Sequence, residues 1–205
     1  MKALLIIDIQ NDFLPGGSLA VEGGNEIIPV INSIQPFFDL VVATQDWHPP
    51  LHKSFASQHP GKELFETTTL NGLPQVLWPD HCVRGTKGAE FSPQLNTDLI
   101  EAVFRKGTDT EIDSYSGFYD NGHLKSTGLG AYLKGRGIKS VYVAGLAGDF
   151  CVHYSAMDAL TEGFDTCLID DATRSISPYG YLNAKVAMNA AGGKTVISFD
   201  LIPRS

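Results

Sequence analysis

VYVAGLAGDFCVHYSAMDAL, residues 141–160, can be read in only one way as local structure. Val141 to Ala144 is a short, unbroken apolar run of the kind that makes a strand buried on both faces. Gly145-Leu146-Ala147-Gly148-Asp149 is a turn. Val152, Ala156, Ala159 and Leu160 then recur at helical spacing and stop ahead of Gly163. A buried strand that runs through a tight turn into a helix is half of a βαβ unit, and it leaves Cys151 in the first turn of that helix.

The same alternation extends in both directions. Ala3–Ile7, Leu40–Ala43, Ala102–Phe104, Thr166–Ile169 and Thr195–Ile197 are further short apolar runs. Between them, Ile27, Val30, Ile31, Ile34 and Phe38 keep helical spacing after Asn25, a residue suited to capping. Leu129, Tyr132 and Leu133 do so before Gly137, and a last helix opens at Ser177-Pro178 and stops at Gly192-Gly193. This pattern predicts one α/β domain over residues 1–205, a three-layer α/β/α arrangement around a six-stranded parallel sheet. The stretch from Asp46 to Gly88 stands apart, being rich in Pro, Gly, His and aromatics without clear periodicity. A long irregular segment inside a compact domain is usually functional or misread, and here its contents favour function.

Composition narrows the classes. Of 205 residues, 43% are hydrophobic and 19% charged, which is ordinary for a soluble domain. The net charge of −8, with its positive residues scattered, makes nucleic acid a poor partner. No apolar run reaches membrane-spanning length, and the N-terminus enters a strand-like run with no export signal, so a cytoplasmic protein is expected. Three cysteines, Cys82, Cys151 and Cys167, make a disulfide framework improbable in that setting. No stretch marks an interface, and a homo-oligomer remains open.

In an open parallel sheet, ligands bind beyond the carboxyl ends of the strands. Asp8 ends the first predicted strand, Asp46 and His48 follow the second, Lys106 ends the third and Cys151 follows the fourth. Four strands thus deliver reactive side chains to one rim. Cysteine is most often a small buried hydrophobe, which fits Cys167 and Cys82. At a helix start, free N–H groups and the helix dipole favour a thiolate and can hold an oxyanion, so Cys151 reads as a nucleophile. A carboxylate at the end of a buried strand is costly unless paired or used. Asp8 is a cap, an ion-pair partner for Lys106 or a general base. Asp46, His48 and the later His81 suit one divalent ion, Zn²⁺ first, with Fe²⁺ or Mn²⁺ as alternatives. The competing view is that six histidines are simply spread over loops. Phe13, Trp78, Tyr115 and Phe118 lie near these groups in sequence, and some of them could sandwich a flat ring.

IIDIQNDF at Asp8, ATQDWHPPLHKSFA at Asp46 and His48, WPDHCVRGTKGAEF at His81, FRKGTD at Lys106, DSYSGF at Tyr115 and GLAGDFCV at Cys151 occur in this order. Through these stretches, and over essentially its whole length, the chain resembles the nicotinamidases (pyrazinamidases) of the isochorismatase-like hydrolase family. The resemblance implies a six-stranded parallel sheet of Rossmann-like type and hydrolysis of nicotinamide to nicotinate and ammonia in NAD salvage. It also implies an Asp8, Lys106 and Cys151 triad and a metal on Asp46, His48 and His81 that anchors the pyridine nitrogen. An oxyanion hole from the N–H groups of Ala147 and Cys151, a cis Leu146–Ala147 bond, and Phe13 and Trp78 flanking the ring complete the expectation.

Two positions depart from the family pattern. Where some relatives carry a further metal-ligating residue, this chain has Ser54, with His52 two residues earlier, so Ser54, His52 and water are all open as the remaining ligand. Gly148 stands where relatives often have threonine, which predicts altered local rigidity rather than altered chemistry. The rival functions are a carbamoyl or ureido amidohydrolase of the same family and a catalytically silent binding module.

Overall fold

The computed structural model describes residues 1–202. Its main sheet is built from β1 (Lys2–Ile7), β2 (Leu40–Asp46), β5 (Ile100–Lys106), β6 (Ser140–Gly145), β7 (Asp165–Thr173) and β8 (Lys194–Val196). Their order across the sheet is β5-β2-β1-β6-β7-β8, and every neighbouring pair is parallel. Helices α1 (Ile27–Ile34), α2 (Leu129–Gly135), α3 (Cys151–Thr161) and α4 (Pro178–Ala190) cover it. All six predicted strands are therefore present, most of them longer than the apolar runs that gave them away.

Strand β1 shows why the chain needs two helical layers. Its side chains alternate, with Leu4 and Ile6 packing among Ile27, Ile28, Ile31 and Ile34 of α1. Ala3, Leu5 and Ile7 enter the opposite core, beside Leu129, Leu133, Val152, Ala156 and Met188. Both faces of a central parallel strand must be apolar, so its sequence is continuous rather than alternating. Chain direction reverses its progress across the sheet between β1 and β6, which pair directly. The carboxyl end of that pair is the topological switch point, where open sheets of this kind bind ligands.

Asn25 is not a cap. It lies inside a 3₁₀ turn, Gly24–Glu26, that leads directly into α1, and no side chain caps that helix. Phe38 also falls outside α1, because a second 3₁₀ turn (Gln35–Phe37) containing Pro36 ends the helical run first. The Ser177 prediction holds: its side chain accepts a bond from the Gly180 N–H at the start of α4. The irregular stretch after Asp46 contains an antiparallel hairpin that periodicity missed, β3 (Thr67–Leu70) with β4 (Leu73–Val76). Asn71-Gly72 turns it with both φ values positive, and this dipeptide was the available signal. Among the described residues, no helix is long and apolar enough to cross a membrane.

Candidate active site

Asp8 is the first residue past β1 and sits at φ 48°, in the left-handed region that aspartate tolerates better than most residues. The reversal turns its carboxylate into the protein, where it is fully buried. Thr44 on β2 donates to Asp8 Oδ1 at 2.6 Å. Asp8 Oδ2 lies 2.9 Å from Lys106 Nζ, and among the described residues no well-aligned hydrogen bond reaches that oxygen.

Lys106, the last residue of β5, is the hub. Its ammonium donates to Asp46 Oδ1 at 2.7 Å, to the Ser114 carbonyl at 3.0 Å and to Cys151 Sγ at 3.3 Å. Its three protons are thus taken, and Asp8 Oδ2 at 2.9 Å is held by charge alone. Burial by itself lowers the Lys106 pKa, but Asp46, Asp8 and Cys151 overturn that and hold it well above the usual lysine range. Burial pushes Asp46 up, and Lys106 with the neighbouring histidines outweighs it, so Asp46 ends well below the usual carboxylate range. For Asp8 burial wins over Lys106, and its pKa is raised. Burial likewise lifts the Cys151 thiol well above its ordinary value against the pull of Lys106. The resting site thus holds a thiol, one firm carboxylate and one poised carboxylate around a permanent cation.

Cys151 is the first residue of α3. Its sulfur and one oxygen each of Asp8 and Asp46 lie within 4.8 Å of one another. The preceding turn contains the cis bond between Leu146 and Ala147. Its geometry is fixed by the N–H groups of Phe150 and Val152, which both donate to the Ala147 carbonyl. Among the described residues, the N–H groups of Ala147 and Cys151 donate to no backbone acceptor. At a helix start such free donors are a ready anion site. Cys167 and Cys82 are both buried, in keeping with the sequence reading, but Cys82 borders the site, its carbonyl accepting from the His48 N–H at 3.0 Å.

Asp46, His48 and His81 converge next to Lys106. Asp46 Oδ2 stands 3.4 Å from His48 Nε2 and 3.6 Å from His81 Nε2. His48 Nδ1 faces the Gly107 carbonyl at 2.9 Å, and His81 Nδ1 faces the Pro79 carbonyl at 2.8 Å. A carbonyl only accepts, so each Nδ1 carries a proton and each ring turns its Nε2 toward Asp46. Against burial, the charge of Asp46 raises the His48 pKa. His48 Nε2 is buried without a hydrogen-bond partner. A buried orphan nitrogen beside a second ring nitrogen and a carboxylate fits one borderline-soft divalent cation, with the two carbonyls as orienting partners. Gly107 is required for this: it sits at φ 64°, and a Cβ there would collide with the His48 ring.

His52 and Ser54 bond each other, while His52 Nε2 is buried without a hydrogen-bond partner among the described residues and forms a second candidate ligand group with His48 and Asp113. His52 Nδ1 is 2.7 Å from Ser54 Oγ and accepts from the Ser54 N–H at 3.2 Å. Burial and the neighbouring His48 hold the His52 imidazole down at about 4, so it is neutral. Neither residue joins the group formed by Asp46, His48 and His81.

A cavity opens onto Cys151, Asp46 and His81, walled by Phe13, Leu19, Trp78, Tyr115, Phe150 and Ile176. The structure thereby brings Phe13, Trp78 and Tyr115 together, whereas Phe118 is buried in the core beside Leu129 and Leu133. Sequence reading missed three polar contributors. Thr44 holds Asp8, as described above. Gln10 grips the Asp46 backbone on both sides, accepting from its N–H and donating to its carbonyl, each at 2.8 Å. Asp113 lines the cavity while accepting from Gln75 and from the Ser114 N–H. All three stand inside the quoted motifs, Thr44 two residues from Asp46, Gln10 two from Asp8 and Asp113 two from Tyr115, and that placement was the only hint.

A thiol, two carboxylates and a lysine at the switch point of a parallel α/β sheet define a hydrolase of the three-layer α/β class. The chain belongs to the isochorismatase family, whose domain matches residues 2–199. Nicotinamidase from Acinetobacter baylyi is 47% identical over 201 residues, covering 98% of this chain and 94% of that protein. The solved nicotinamidase/pyrazinamidase of Acinetobacter baumanii superposes with a TM-score of 0.95 at 49% identity, covering 98% of each chain. Pyrazinamidase of Pyrococcus horikoshii, solved in complex with zinc, superposes with a TM-score of 0.79 at 36% identity, over 96% of this chain and 98% of that one. Within its family this enzyme stands with the nicotinamidases and pyrazinamidases, as an amide hydrolase.

Proposed function

We propose that the enzyme hydrolyses nicotinamide, and ring amides such as pyrazinamide, to the acid and ammonia through a thioester on Cys151, as a step of NAD salvage in the cytoplasm. One observation carries the reading. Lys106 touches the thiol, the Asp8 carboxylate and the Asp46 carboxylate at once, so the nucleophile, its base and the His/Asp cluster act on one point.

Asp8 takes the Cys151 proton on the oxygen facing Lys106, whose charge stabilises the thiolate as it forms. The thiolate attacks the amide carbonyl, and the C–S bond forms as the carbonyl oxygen becomes an oxyanion. The free N–H groups of Ala147 and Cys151 hold that oxyanion. Collapse expels ammonia with the proton returned from Asp8. Asp8 then deprotonates a water that attacks the thioester, and the acid leaves as the proton passes back to sulfur. Asp46, His48 and His81 would hold a divalent ion, Zn²⁺ foremost, which when bound supplies an anchor for a ring nitrogen. Phe13, Trp78 and Tyr115 flank the flat ring and exclude water.

The test is ammonia release from nicotinamide by wild type and by Cys151→Ala. The variant is expected to lose turnover by at least about 10³-fold while keeping its thermal midpoint within a few degrees. A Cys151→Ala protein that still turns over would overturn the covalent mechanism. Release from carbamoyl or ureido substrates but not from nicotinamide would move the enzyme to the rival branch of the family.

A further inference from the structure

The cavity over Cys151 is narrow, with about 20 Å³ of free space, so its walls decide what fits. Phe13, Leu19 and Trp78 are at most 8% exposed. Phe150 is locked edge-on against Trp78 at 4.9 Å and against Tyr115 at 5.5 Å. Ile176 is the most exposed of the walls: it lines the cavity and is 38% exposed, so one side faces the cavity and the other faces solvent.

The loop that carries Ile176, between β7 and α4, is tied to the nucleophile's own turn. Asp149, two residues before Cys151, accepts from the Ile176 N–H at 3.0 Å with one oxygen and from the Ser177 N–H at 2.8 Å with the other. Gly148 donates to the Arg174 carbonyl at 2.7 Å. The Tyr181 ring occupies the space that a side chain at position 148 would need, 2.7 Å from where its Cβ would stand. Tyr181 is in turn anchored through its hydroxyl to Asp170 at 2.7 Å. Glycine at 148 thus lets α4 dock on the turn and bring the loop down over the cavity.

Resting on the reading of the site as a ring-amide site, we propose that Ile176 is the roof of the ring cavity and sets which ring substituents are accepted, with Asp149 as its positioning residue. Charge-assisted bonds to two successive N–H groups hold the roof closed. The isoleucine side chain then fills the volume that a substituent on the ring would need, and a pocket of fixed volume discriminates at the level of single methyl groups.

Two measurements decide this. The first is kcat/KM for nicotinamide beside its 5-methyl and 6-methyl derivatives. Ile176→Ala is expected to raise the ratio of at least one methylated ring to nicotinamide by about tenfold, through KM. Ile176→Phe should lower acceptance of all three. Asp149→Asn, which cannot accept from both N–H groups with two oxygens, should relax the same ratio in KM with a smaller change in kcat. The second measurement needs no substrate. Alkylation of Cys151 by iodoacetamide and by the bulkier N-phenylmaleimide is followed by peptide mass spectrometry, and Ile176→Ala should speed the bulky reagent relative to the small one by about tenfold. Ratios unchanged within twofold in both assays would overturn the proposal. If wild type turned over no ring amide, the functional reading would fail on its own, and the alkylation ratio would still decide whether Ile176 roofs the cavity.

Discussion

At the scale of single residues, the site depends on groups that the reacting atoms never touch. Thr44 supplies the 2.6 Å bond to Asp8 Oδ1. Thr44→Val keeps the shape and removes the donor, leaving a buried carboxylate oxygen short of a partner, at a cost of about 1–3 kcal/mol. Urea unfolding should show that loss, and kcat should fall with it, because the Thr44 bond favours the ionised form of the base. Gly107 is the second case. Gly107→Ala forces a Cβ onto the His48 ring from a backbone at φ 64°. The expected outcome is reduced metal content by mass spectrometry, with about 1–3 kcal/mol of lost stability. Unchanged metal content would break the link between this glycine and the His/Asp cluster. Both residues stand inside the quoted motifs, yet neither was singled out, since a threonine in an apolar strand and a glycine after a lysine have many uses.

At the scale of elements, the strands and helices were legible because burial on two faces leaves unbroken apolar runs and burial on one face leaves a helical period. Helix ends were legible where capping chemistry was specific, as at Ser177-Pro178, and illegible where 3₁₀ turns fused to α1. Ser177→Ala should cost about 1 kcal/mol in denaturant unfolding. Within α3, burial holds the His153 imidazole below its ordinary 6.5, outweighing the opposing charge of Asp149. The sign follows from linkage. As pH falls through about 6.5 the unfolded chain takes up a proton that the folded chain resists, so this group's contribution to stability is lost toward lower pH. His153→Gln should therefore flatten the decline in stability as pH falls below about 6.5 relative to wild type. Parallel curves for the two proteins would sink that assignment.

At the scale of the whole molecule, the reversal of strand order between β1 and β6 gathers residues that lie as far apart as positions 8 and 151. A metal held by one strand end (Asp46) and two loop histidines binds only the folded arrangement, so it should stabilise the fold as well as the site. One divalent ion per chain is expected, and chelation should lower the thermal midpoint of wild type. His48→Ala should start with less metal and lose little further stability on chelation. A midpoint indifferent to chelator in the wild type would argue against the cluster as a resident metal site.

The sequence by itself determined the layer architecture and the identity of the residues at the rim, because both follow from local rules: apolar runs, helical spacing, turn chemistry, and ionisable residues at strand ends. It also carried, in six motifs, the family to which the chain belongs. Only the tertiary structure decided that Lys106 serves Asp8, Asp46 and Cys151 together, that Phe118 is core, and that Asp149 draws Ile176 over the cavity. Those outcomes depend on distances between segments remote in the chain. Such distances are set by how the helices dock on the sheet, for which no local pattern in the sequence has a signature.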